Sequence, residues 1–245
     1  MSHGHAGILA HSAEGAALCF LTFCQTGFSR LGDHQHPDVT MDCIAMAEAM
    51  EAWEAGDYPT INAIFARSVD RLKAAGADFF VCPDNTAHIA MEAAQTPFAL
   101  PALNIGDVVA EEAARLGLKK IAVLGTRWTM EGPVYPRALT ARGLDYATPN
   151  EAEKALIQEV IFSELVLGTF KEESRAAYIE VIERLKAEEG CDGAALVCTE
   201  IPILVPPDRS PLPVLDSTRL LARAAFEVCI GERAAPSWAG GPVAG

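Results

Sequence analysis

The sequence predicts an α/β protein with mainly parallel sheets flanked by helices, built as two pseudo-symmetric domains with the active site in the cleft between them. Apolar runs short enough to be buried strands alternate with amphipathic helical stretches along the whole chain. A segment around Gly76 recurs in outline 114 residues later, as an internal repeat would. Polar residues gather just past the predicted strand ends, where open α/β sheets bind their ligands.

Taken in order, Ala6-Gly-Ile-Leu-Ala10 reads as a buried strand. Ile61 to Ala75 has Ile64, Val69, Leu72 and Ala75 near helical spacing, so it reads as an amphipathic helix. Asp78 to Cys82 and Lys120 to Leu124 are strands again. Glu151 to Leu167 and Glu173 to Glu188 form long helices before the strand Gly193 to Val197. Proline-containing stretches at Pro97 to Pro101 and Pro202 to Pro213 interrupt the pattern and are the expected crossings between domains. The expected partition is residues 1–104 with 215–235 as the first domain, 105–214 as the second, and 236–245 as a flexible tail.

The repeat rests on particular letters. Arg71-Leu-Lys-Ala74 returns as Arg184-Leu-Lys-Ala187, and each copy leads through a glycine, Gly76 or Gly190, into a strand. The 114-residue offset of the two glycines also matches Asp78 to Asp192 and carries Asp84, Asn85 and Thr86 onto Cys198, Thr199 and Glu200. At nearly the same spacing, the strand ending at His11-Ser12 matches the one ending at Gly125-Thr126. Two such halves facing each other would bring Asp84 and Cys198 to one small molecule from opposite sides. Inverting a single carbon needs that arrangement, with a proton leaving one face and another arriving at the other.

Composition narrows the partners. The chain has 245 residues, 19 Lys and Arg against 33 Asp and Glu, and a formal net charge of −14. That sign argues against nucleic acid and against anionic membrane, both of which need clustered cations. The longest early apolar run, Ala16 to Cys24, is far shorter than the roughly 20 residues of a membrane span. Seven cysteines without a C-x-x-C pair exclude zinc-ribbon and thioredoxin motifs and fit a cytoplasmic protein with reduced thiols. No cofactor is expected, because no G-x-G-x-x-G opens a helix after the first strand and no lysine has a pyridoxal-phosphate context. No metal is expected either. Asp33-His-Gln-His36 with Asp38 lacks a fourth ligand at known spacing and reads as a surface loop.

Cys82-Pro-Asp-Asn-Thr-Ala-His88, Leu124-Gly-Thr-Arg-Trp-Thr-Met-Glu131 and Val197-Cys-Thr-Glu-Ile-Pro202 resemble signatures of the aspartate/glutamate racemase superfamily. Glu164 to Arg175 and Asp216-Ser-Thr218 are similar to that family too, and the likeness runs from about Gly7 to Phe226. The resemblance implies a cofactor-independent racemase or epimerase of a small carboxylate, an acidic amino acid above all, and a homodimer. Members of that family use two cysteines as a thiolate/thiol pair on opposite faces of the α-carbon. The second maps onto Cys198, whose side handles the L-isomer by this analogy. The first maps onto Asp84, and the family's glycine-rich first turn reads Ala10-His11-Ser12.

Cys198 and Asp84 are therefore the expected catalytic pair. Thiolate is the reactive form of cysteine, and an ionised Asp84 accepts a proton more readily than it gives one. Ser12, Asn85, Thr86, Thr126 and Thr199 supply uncharged hydrogen-bond groups for a substrate carboxylate, alongside backbone N–H groups at helix starts. Capping is the plain alternative for each of them, and for Asp84 as well. His11 and His88 read as packed, hydrogen-bonded histidines; Arg127, Glu131 and Lys171 read as surface charges. Two other functions share these letters: a cofactor-free decarboxylase of a malonate-type acid that uses a single cysteine as proton donor, and a non-catalytic carboxylate-binding protein.

Overall fold

Ala6–Ala10 (β1) is apolar without interruption and wholly buried, the pattern of a parallel strand covered on both faces. Its neighbours confirm that reading. In the computed structural model, which describes residues 3–243, β1 lies between Val39–Cys43 (β2) and Phe79–Val81 (β3), both parallel to it. Ala102 adds an isolated parallel bridge to Phe80. The helices of this part are Ala13–Leu31 (α1), Met50–Ala55 (α2), Tyr58–Ala74 (α3) and Ala87–Glu92 (α4). Asp57 caps α3 by accepting from the Thr60 N–H, and Pro59 sits in the first turn, where its missing donor costs nothing. Ile61, Phe65, Val69 and Leu72 then follow at helical spacing and pack with Leu9, Phe80 and Cys82.

The chain next forms Ile105–Arg115 (α5), Lys120–Gly125 (β4), Arg127–Glu131 (α6), Val134–Thr140 (α7) and Asp145–Ala147 (β5). It continues through Glu151–Ser163 (α8), Glu172–Glu189 (α9), Gly193–Val197 (β6), Ile201–Leu204 (α10), Val214–Asp216 (β7) and Ser217–Cys229 (α11). Strand order in this second, all-parallel sheet is β5-β4-β6-β7, which repeats β2-β1-β3 and its Ala102 bridge. Ala122, Leu124, Ala194 and Leu196 share one core with Ile157, Ile161, Tyr178 and Ile182 of α8 and α9.

Backbone contacts give the repeat a physical cause. Asp78 accepts the His5 N–H at 2.8 Å, while Asp192 accepts the N–H groups of Lys119 and Lys120 at 2.9 to 3.0 Å. Each aspartate thus ties the start of its own strand to the start of the central one. Gly76 and Gly190, with φ of 94° and 70°, make the left-handed turn that leads into each copy, which favours a residue without Cβ.

The structure corrects the expected boundaries. Its two units are Met1–Ile105 with Thr218–Gly245, and Gly106–Ser217, so the chain crosses in the first turns of α5 and α11. The Pro202 to Pro213 stretch lies inside the second unit, and β7 completes the second sheet, so residues 215–217 leave the first domain. The expected strand over Asp78 to Cys82 stops at Val81, because Pro83 has no N–H to continue a ladder. The long helix after Glu151 ends at Ser163, beyond which Leu165–Leu167 is a 3₁₀ turn closed by Gly168 at φ 71°.

Residues 236–243 are not a flexible tail. Trp238 packs on the first core and stacks on His88 at 6.0 Å, and the N–H groups of Ala102 and Phe98 donate to the carbonyls of Trp238 and Ala239. An indole offers more apolar area than any other residue, which is why this segment stays down. Residues 244 and 245 of the expected tail lie outside the described residues.

Candidate active site

Two clusters of polar side chains form at strand ends, one in each unit. The first comes from register. β1 and β3 pair Ala6 with Phe79 and Ile8 with Val81, so continuing the two chains past the sheet brings His11 beside Asp84. Nδ1 of His11 lies 2.8 Å from Oδ2 of Asp84. An ionised carboxylate can only accept, so Nδ1 carries the proton in this bond. The other carboxylate oxygen, Oδ1, accepts the backbone N–H groups of Thr86 at 2.9 Å and Ala87 at 3.3 Å, starting α4.

The electrostatics of Asp84 follow from these contacts. Burial pushes its carboxyl up, but the hydrogen bond and charge of His11, joined by the Ala87 and Thr86 N–H groups, outweigh that and hold it below the usual aspartate range. His11 is only 3% exposed, and its ring meets Phe65 edge-on at 5.2 Å. Cys82, next to this pair, is different. Burial drives its thiol well up, the Asp84 charge adds to that, and the group packs as an inert apolar side chain.

The second cluster sits past β6. β4 and β6 pair Gly125 with Val197, so Thr126 and Cys198 stand where His11 and Asp84 stand in the first unit. The Sγ of Cys198 donates to Oε2 of Glu200 at 3.0 Å, and both residues are buried. Here the turn matters: Thr199 and Glu200 form it, and Pro202 in the first turn of α10 fixes the helix start just beyond, which folds the Glu200 carboxylate back onto the thiol. Tyr178 flanks this pair. Burial raises its hydroxyl far above the ordinary value, the Cys198, Glu164 and Glu200 charges raise it further, and the hydroxyl donates to the Ile157 carbonyl.

The remaining candidates divide. Asn85 is buried beside Asp84, and Thr86 begins α4 without using its side chain as a cap. Ser12 takes the N-cap position of α1, also with no side-chain cap bond. Thr199 is buried next to Cys198. Thr126, by contrast, is engaged as a cap, its hydroxyl accepting from the Thr129 N–H and lying 3.0 Å from the Thr129 hydroxyl. Arg127 bridges Glu131 and Glu151 on the surface, and Lys171 holds Glu164 at 2.8 Å. His88 bonds the Cys82 carbonyl at 3.0 Å, a packed histidine as expected. Among the described residues no group of three or more His, Cys, Asp or Glu is placed to hold a metal ion, and no helix is long and apolar enough to cross a membrane.

Glu200 is a functional candidate to which the sequence alone assigns no role. Its signal was the distance of two residues from Cys198 across a strand-to-helix turn. His11 reads as packed in the sequence, and only the parallel register explains why its packing partner is Asp84.

The Asp/Glu/Hydantoin racemase family profile matches residues 23–225. The broad specificity amino-acid racemase RacX of Bacillus subtilis (strain 168) is 25% identical over 224 residues, covering 89% of this chain and 94% of its own. A crystal structure from Yersinia pestis, assigned as an Asp/Glu racemase, superposes with a TM-score of 0.82 at 30% identity, covering 93% of this chain and 99% of that one. The aspartate racemase homologue of Pyrococcus horikoshii OT3 gives 0.81 at 26% identity, over 94% and 100% of the two chains. With a profile match over most of its length, this chain belongs to the Asp/Glu/hydantoin racemase family.

Proposed function

We propose that this chain is a cofactor-independent racemase of a small acidic amino acid, aspartate or glutamate, with Cys198 as one acid/base group and the His11–Asp84 pair as the other. The reaction class, an isomerase of the racemase type, follows from the family; the substrate and the residue roles are the proposal. The observation that carries it is the buried Cys198 thiol hydrogen-bonded to the Glu200 carboxylate at a strand end.

The chemistry runs as follows. Glu200 accepts the thiol proton and leaves a thiolate, the form of cysteine that can remove the α-proton. The electron pair of the broken C–H bond delocalises into the substrate carboxylate as an enediolate. Fixed N–H and hydroxyl donors stabilise that charge because they need no reorganisation when it forms. Ser12, Asn85, Thr86 and Thr199 are the proposed carboxylate-binding donors, with backbone N–H groups in place of the Thr126 hydroxyl. A proton then returns to the opposite face from the first-unit cluster.

All seven cysteines are free thiols, which supports a reducing compartment, and we place the protein in the cytoplasm on that ground. The family resemblance supports a homodimer, for which sedimentation should give twice the mass of one chain.

The test is Cys198→Ala. Inversion of aspartate and glutamate, followed by chiral chromatography, should fall by at least about 100-fold, as should deuterium uptake at the α-carbon, since an acid/base group contributes about 10²–10⁴-fold. Near-normal inversion in that variant overturns the assignment. Carbon dioxide release from a disubstituted malonate would instead identify a single-thiol decarboxylase.

A further inference from the structure

The first-unit cluster holds more than one titratable group. Asp84 has its carboxylate occupied: Oδ1 takes two backbone N–H groups, and Oδ2 takes the His11 ring. Held this way and kept ionised, it is a poor proton donor. His11 has the opposite situation. One nitrogen is tied to Asp84, while the other, Nε2, is buried and has no hydrogen-bond partner among the described residues. Buried polar atoms are nearly always satisfied, so an orphan nitrogen needs an explanation. This one lies just past the carboxyl end of the central strand, the position at which ligands bind in α/β sheets.

We infer that His11, through Nε2, is the acid/base group of the first unit, and that Asp84 is a positioning residue that orients its ring. The inference rests on the racemase reading above and deepens it. In one direction the Cys198 thiolate takes the α-proton, the C–H electron pair delocalises into the substrate carboxylate as the enediolate, and the protonated His11 gives its Nε2 proton to the α-carbon as that pair returns to it. His11 ends neutral, still donating Nδ1–H to Asp84, and Cys198 ends as a thiol. In the other direction the Nε2 lone pair takes the α-proton, the imidazolium pairs with Asp84, and the Cys198 thiol supplies the proton to carbon. Asp84 stays ionised throughout and keeps its hydrogen bond to Nδ1, which fixes the ring in place. The packed His11 of the sequence reading thus becomes one half of a dyad, and the Asp84 that replaces a thiol becomes its support.

The discriminating variant is His11→Asn. Its amide can keep the buried bond to Asp84 near the Nδ1 position while removing Nε2, so the fold has its contact and the chemistry loses its group. In D₂O with either enantiomer of aspartate or glutamate, kcat for inversion should drop by at least about 100-fold. Deuterium uptake without inversion should persist for one enantiomer only, the one whose α-proton faces Cys198. Inversion within about threefold of the unaltered protein overturns the His11 role. If Cys198→Ala leaves inversion intact, or the unaltered protein neither inverts nor exchanges these amino acids, the racemase reading itself fails and takes this inference with it. A measurement independent of the variant's folding uses the unaltered protein with ¹⁵N-labelled histidine. Aspartate should shift the His11 Nε2 resonance, and a resonance that ignores an amino acid the enzyme inverts contradicts the assignment.

Discussion

The two strand-end clusters occupy equivalent places in a repeated sheet yet carry opposite chemistry. In the second unit, a thiol faces a carboxylate that can take its proton. In the first, a carboxylate is locked by an imidazole and two backbone N–H groups. The contrast teaches that the repeat preserves position rather than residue type. Asp78 and Asp192 still do the same job at the strand starts, while the groups past the strand ends have diverged.

The comparison can be broken or sharpened by substitution. After the two acid/base groups themselves, the largest effect should come from Glu200→Gln, which keeps an oxygen to accept the thiol hydrogen bond but removes the base. We expect kcat to fall about 10–100-fold with KM little changed, and equal losses in both would contradict a role confined to proton transfer. Next is a pair of glycines at matching strands. A Cβ on Gly125 would lie 2.7 Å from Val197 Cγ2 and 2.8 Å from the Val197 carbonyl oxygen. Gly125→Ala should therefore cost about 1–3 kcal/mol in denaturant unfolding. On Gly7 the closest atom is the Leu72 Cδ1 at 3.1 Å, a side chain that can move, so Gly7→Ala should cost less. A reversed order would mean that the second sheet is the more yielding one.

The smallest effect is in acid stability. Asp84 titrates lower in the folded protein than in the unfolded chain. Its stabilisation is then fully present above the ordinary aspartate range, near about pH 4, and lost as pH falls through the lowered folded value. Asp84→Asn should remove that contribution. The stability gap between the two proteins, read from urea melts, should be wide at neutral pH and narrow steadily in acid. A gap that widens in acid contradicts the direction assigned to Asp84.

Much of the fold was legible because buried parallel strands write themselves as unbroken apolar runs. Ala6–Ala10, Lys120–Gly125 and Gly193–Val197 are examples. β2 escaped notice for the complementary reason: Val-Thr-Met-Asp-Cys is half-exposed and polar, and it is a strand because it pairs with β1. The crossings were misread because proline marks a break in local structure without saying which side of a unit it lies on. Trp238 was lost in a glycine- and proline-rich end whose composition resembles a loop, although one indole was enough to anchor it. At the site, Cys198 and Asp84 were visible as residues following strands. Their partners were not, since Glu200 reaches Cys198 through a turn and His11 reaches Asp84 only through strand pairing.

The central claim is that two chemically different groups handle the α-proton on its two faces. Starting from a single enantiomer of a racemised amino acid in D₂O and stopping at a few per cent conversion tests it most directly, with mass spectrometry on each separated enantiomer. Two distinct groups predict product fully deuterated at the α-carbon while the remaining substrate keeps its protium, from either starting enantiomer. Protium carried into the product, or deuterium appearing in unreacted substrate as fast as in product, would mean that one group serves both faces.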